Sequence, residues 1–108
     1  SKNGITFPMQ NPSKEACAIN RKALKTIERL AKEKIKTYNN YVKMYHRDKC
    51  NTRRGKECSK IKENIKYHQK KANKLLFAAN NAVKAYNKDL KKYPQYCPGK
   101  KESYYNLQ

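Results

Sequence analysis

CSKIKENIKYHQKKANKLLFAANNAVKAYNKDLKKY, residues 58–93, decides the fold. Taken every third or fourth position it yields Cys58, Ile61, Ile65, His68, Ala72, Leu75, Ala79, Ala82, Tyr86, Leu90 and Tyr93. Steps of three and four sustained for five heptads trace one face of a long, coiled-coil-like helix. Leu76, Val83 and Phe77 are expected to broaden that face. Pro94 ends it, because proline has no backbone N–H to continue the ladder.

The segment before it repeats the pattern. Leu24, Ile27, Ala31, Ile35, Tyr38, Val42 and Tyr45 follow in steps of three and four. Ser13 is placed to cap this helix, and Glu15 puts negative charge in its first turn, where the helix dipole favours it. Asn39-Asn40 is its weak point, although the period crosses that pair in phase. The resulting expectation is an extended lead-in over 1–12, helix one over 13–47, a basic turn over 48–56, helix two over 57–93 and an irregular tail over 94–108 that folds back. Each helix would be roughly 50 Å long at about 1.5 Å per residue. Asn51, Thr52 and Gly55 supply turn chemistry between them. The fold class is all-α: a single domain built as an antiparallel helical hairpin or small bundle of long helices, stapled by two disulfides.

The helix lengths constrain the four cysteines. With helix one unbroken, Cys17 and Cys50 lie about 50 Å apart, whereas a disulfide needs its Cα atoms within about 7 Å. Cys17–Cys97 with Cys50–Cys58 is then the pairing that remains. A break near Asn39 would permit a four-helix arrangement with other pairings. A two-helix layer buries little, so a covalent clasp at each end suits it.

Charge is the other bound. The 108 residues carry 27 Lys and Arg against eight Asp and Glu, a net +19. Small soluble domains carry a magnitude of about 2–8. Such an excess repels itself and projects a long-range field toward polyanions. Expected partners are acidic: sulfated glycans, nucleic acid, anionic lipid or an acidic protein face. Lys62, Lys66, Lys70 and Lys74 recur every four residues on helix two, and Lys25, Arg29, Lys32 and Lys36 follow in steps of four, three and four on helix one, continued by Lys43 and Arg47. A solvated outer face would account for such rows, but +19 exceeds what solubility requires. The turn is densest. Arg47, Lys49, Arg53, Arg54 and Lys56 fall within ten residues and include three of the chain's five arginines. Arginine's planar fork suits carboxylate, sulfate and phosphate, and a closed turn would present it at low entropic cost.

Other chemistries fit less well. His46, Cys50, Cys58 and His68 are zinc-ligand types, but neither cysteine belongs to a C-x2–4-C unit and the spacings match no familiar zinc motif. No metal or other cofactor is expected. Glycine is too scarce for a phosphate-cradling loop, and no serine, histidine and aspartate arrangement suggests catalysis. The acids read as local charge partners, Glu28 with Lys32 for example at the favourable i, i+4 spacing. No enzyme activity is expected. Nine tyrosines invite a base-stacking reading, but Tyr38, Tyr45, Tyr86 and Tyr93 fall on core faces. Specific nucleic-acid binding is therefore not expected. Nor is membrane insertion, because no apolar run reaches the roughly 20 residues of a span. An even cysteine count in a short chain points to an oxidising compartment, hence to a secreted protein whose leader is already removed.

The opening NGITFPMQNPSKEAC, residues 3–17, and the turn NTRRGKEC, residues 51–58, resemble small salivary proteins of Lutzomyia sand flies. The likeness extends over the whole chain in length, charge and cysteine pattern rather than resting on one diagnostic motif. It implies a secreted, non-enzymatic inhibitor of the classical complement pathway; the chain's own charge adds the expectation that its partner is a host complement protein met at an acidic surface. The runner-up reading is a glycosaminoglycan binder that disturbs coagulation or inflammation.

Overall fold

The computed structural model describes Met9, residues 11–97 and residues 99–106; most of the expected lead-in and residues 107–108 lie outside that description. Two helices form the chain, α1 over Lys14–Arg47 and α2 over Lys56–Lys92. They pack antiparallel as a hairpin, with no strand among the described residues. The molecule is a rod of 59 × 25 × 14 Å, one helix thick in its shortest dimension.

The expected cap forms at the start of α1: the Ser13 side chain accepts a hydrogen bond of 3.0 Å from the Ala16 N–H. The helix runs unbroken through Asn39-Asn40. At its far end the Lys49 N–H donates to the His46 carbonyl and the Cys50 N–H to the Tyr45 carbonyl. This is a Schellman closure, and Lys49 takes the left-handed position, φ 53°, that glycine usually fills. Gly55, at φ 149°, makes the second sharp change of direction and leads directly into α2. Lys91 and Lys92 stand in the last turn of α2, where positive charge complements the helix dipole.

Both disulfides join the expected partners, Cys17 with Cys97 and Cys50 with Cys58, with Cα separations of 5.6 and 5.4 Å. Each closes one end of the hairpin, and the core divides accordingly. At the open end Met9, Leu24, Ile27, Ala79, Ala82, Val83 and Tyr86 pack around Cys17 and Cys97. At the turn Ile61 packs on Cys50 and Cys58, flanked by Met44, Tyr45 and Ile65.

Two sequence expectations need correction, and one buried polar pair had no place in the pattern. Phe77 does not broaden the core face; it is 60% exposed, because α2 has a single partner helix and that flank faces outward. Glu28 is buried rather than a surface partner of Lys32: it pairs with Lys25 at 3.6 Å and accepts the Tyr105 hydroxyl. Asn20 and Asp89, polar residues without a place in the apolar period, are both buried and joined by a 3.2 Å hydrogen bond between the helices. A buried polar pair is tolerated when each member satisfies the other.

The tail does fold back. It runs along the groove between the helices, antiparallel to α2, and is held by side chains of both. Asn87 accepts from the Glu102 N–H and donates to the Glu102 carbonyl, at 2.8 and 2.9 Å. Asn80 does the same to Tyr105, at 2.6 and 2.8 Å. From α1, Lys25 donates to Glu102 at 3.1 Å.

Candidate functional site: the basic turn

The turn is built by three local devices. The Schellman closure reverses the chain, the Thr52 and Arg53 N–H groups both donate to the Lys49 carbonyl, and the Thr52 hydroxyl donates to that same oxygen. The Cys50–Cys58 bridge then ties the loop back onto the first turn of α2. Both sulfurs belong to residues under 10% exposed, so the staple lies inside and the cations outside.

Arg47, Arg53, Arg54 and Lys56 line one open depression of about 630 Å³, together with Asp48, Gly55, Glu57 and Cys58. Lys49 is exposed but stands outside that lining. Asp48 partly neutralises the site. It accepts from the Arg47 guanidinium at 2.9 Å, which holds the Asp48 carboxyl below its ordinary range and the arginine above its own. Among the described residues no ion pair engages Lys49, Arg53, Arg54 or Lys56, so their charge stays available. The first N–H groups of α2 point toward the same end, and Gly55 provides no side-chain cap for them.

The lysine row of α2 does not form one surface. Each step of four residues turns about 40° around a helix, so Lys62 and Lys74 differ by roughly 120°. Lys62 and Lys66 flank a shallow apolar groove floored by Val42, Tyr45 and Ile65, with His46 on its edge, whereas Lys70 and Lys74 line neither this groove nor the turn depression. On α1 the row Lys25, Arg29, Lys32 and Lys36 does share a groove, but Glu28 and Glu33 share it too. Arg29 is paired with Glu33 at 3.1 Å, and the hydrogen bond to Glu102 holds Lys25 above the usual lysine range. The turn is thus the densest cluster of unpaired cations.

The four candidate zinc ligands are not assembled. Cys50 and Cys58 are oxidised to each other and offer no thiolate. His68 stacks on Tyr41 at 5.3 Å and meets Tyr67 edge-on at 5.0 Å. Burial, reinforced by nearby Lys34, keeps its imidazole below the ordinary histidine range.

Sequence reasoning missed the residues that hold the tail. These are Asn80 and Asn87, which stand seven residues apart and so on one flank of α2. That spacing was the available signal, since an amide repeated along a helix flank is placed to grip a backbone beside it. No helix among the described residues is long and apolar enough to cross a membrane. Comparison with protein-family models, with curated proteins and with solved structures returns no match to this chain.

Proposed function

We propose that this chain is a secreted, non-catalytic inhibitor of the classical complement pathway that binds an acidic face of a host complement protein through its basic turn. The observation that carries the reading is the set of unpaired Arg53, Arg54 and Lys56 beside Arg47 in one depression on a disulfide-closed loop. Fixed cations of this kind recognise carboxylate, sulfate or phosphate and speed encounter with an acidic partner. Lys62 and Lys66 extend the positive field down one side of the rod, while Lys70 and Lys74 add net charge without sharing that surface. The pathway itself comes from the resemblance to sand-fly salivary proteins. The two disulfides are compatible with an extracellular setting.

The test is lysis of antibody-coated red cells by serum at physiological salt. Purified protein is expected to protect in a dose-dependent way, and the pair Arg53→Glu with Arg54→Glu to lose most of that protection. Full activity of the double variant would displace the site from the turn; no protection at micromolar concentration would refute the complement reading. A second reading, binding of sulfated glycans, is favoured by the net charge of +19. It is distinguished by competition with heparin and by a steep loss of binding as salt rises.

A further inference from the structure

The grip on the tail has the form of a peptide-recognition site. Asn80 and Asn87 are two turns apart, roughly 10.5 Å along α2. Glu102 and Tyr105 are three residues apart, about 10 Å in an extended chain. The two repeats match, so each amide meets one residue and satisfies both its N–H and its carbonyl. These four hydrogen bonds read backbone and are indifferent to side chain. Specificity comes from α1, where Lys25 takes a carboxylate at the first position and Glu28 accepts a phenol hydroxyl at the second. The groove therefore reads an extended segment with an acid followed three residues later by a tyrosine. The side chains between them are free to vary, and Ser103 and Tyr104 are exposed.

The segment that fills this groove suits its charge poorly. Lys84 and Lys91, each four residues after one of the asparagines, are exposed on the same flank of α2, and Lys25 stands opposite. Over residues 99–106 the tail carries Lys100 and Lys101 against Glu102 alone, a net +1 lying along a cationic groove. An acidic occupant would keep every backbone contact and gain the surrounding field. The tail keeps its place through tethering, because Cys97 is locked to Cys17 close by and local concentration in cis reaches the millimolar range.

We propose that the α1–α2 groove defined by Asn80, Asn87, Lys25 and Glu28 is a peptide-binding site, covered in cis by the tail and open in trans to an extended acidic protein segment bearing a carboxylate and a tyrosine at i, i+3. The site lies toward the opposite end of the rod from the basic turn and does not depend on the complement reading. Displacement releases residues 99–106 while the disulfides hold the hairpin.

The experiment uses the full chain and two acetylated, amidated octapeptides of equal composition and charge, DDESDYED and YDDESDED, of which only the first has the acid-to-tyrosine spacing. Fluorescence anisotropy in about 150 mM salt is expected to give at least fivefold tighter binding of the first. At saturation the Glu102 and Tyr105 amides are expected to lose protection from hydrogen exchange. Asn80→Ala with Asn87→Ala weakens binding of the first peptide at least fivefold, and Lys25→Ala with Glu28→Gln removes the preference. Glu102→Gln with Tyr105→Phe loosens the tail without touching the helices and raises affinity several-fold, so the proposal remains testable if the asparagine variant misfolds. Equal affinity for the two peptides, tail amides still protected at saturation, or tail variants that bind no better each overturns it.

Discussion

Replacing Cys50 and Cys58 together by serine tests whether the two ends of the rod are held independently. The bridge spans a sequence separation of 8, so loop-closure entropy assigns it about 2.5 kcal/mol. Its cluster is small, with Ile61 the one other buried residue and Met44, Tyr45 and Ile65 partly covering it. The larger cluster around Cys17–Cys97 lies toward the other end of the hairpin. Loss of the distal bridge should therefore raise local opening near the turn and leave the far end unchanged. At 1.4 kcal/mol per decade, 2.5 kcal/mol corresponds to roughly 60-fold faster exchange. Hydrogen exchange read by mass spectrometry, with oxidised wild type as reference, should show that acceleration over residues 44–61 and little change around Leu24, Ala79 or Val83. Inhibition should fall with it, because an unclosed turn loses its fixed arrangement of arginines. Uniform acceleration along both helices would mean that the rod opens as one unit; no acceleration would mean that packing alone closes the turn. Either result refutes this reasoning.

Four other outcomes follow from single contacts. Leu24 is completely buried, so Leu24→Ala should cost about 2–5 kcal/mol in a urea melt. Asp89→Ala leaves the Asn20 amide buried without its partner and should cost about 1–3 kcal/mol; a neutral result would mean that the pair contributes nothing. Lys49→Gly relieves the left-handed backbone at φ 53° and should stabilise by about 1 kcal/mol, seen as a higher melting temperature. Burial, followed by the hydrogen bond to Glu28, pushes the Tyr105 phenol up to about 12. A folded pKa above the unfolded value of about 10 contributes stability that is complete below pH 10 and is lost as pH rises through 12. An absorbance titration of the phenolates should show a late-titrating component that is lost in Tyr105→Phe.

The hairpin was legible because its cause is periodic. Leu24, Ile27 and Ala31 on one side, and Ile61, Ala72 and Ala79 on the other, lie where steps of three and four put them, and all are buried. Once the helices were long and whole, their length alone selected the disulfides. The tail's seat was not legible, because Asn80 and Asn87 grip peptide units and leave no apolar pattern in residues 99–106. Glu28 shows the same limit: two lysines stand within reach along its own helix, and the arrival of Tyr105 from 77 residues away determines its surroundings. Of the turn cations, Arg47, Arg53, Arg54 and Lys56 share one depression and Lys49 stands outside it, whereas the α2 lysine row was given more unity than a helix permits, since a four-residue step drifts around the axis from Lys62 to Lys74.

The placement of Arg53-Arg54 between Cys50 and Cys58 has a consequence for survival among proteases. This exposed dibasic site is the natural point of attack for an enzyme that cleaves after arginine. A cut after either residue divides the chain into two pieces, one holding Cys17 and Cys50, the other Cys58 and Cys97. Those pieces remain joined by both bridges, one beside the cut and one at the far end of the rod. The nicked protein would keep its helices paired and its new termini pinned at the turn, so cleavage at this exposed point would leave the molecule in one body.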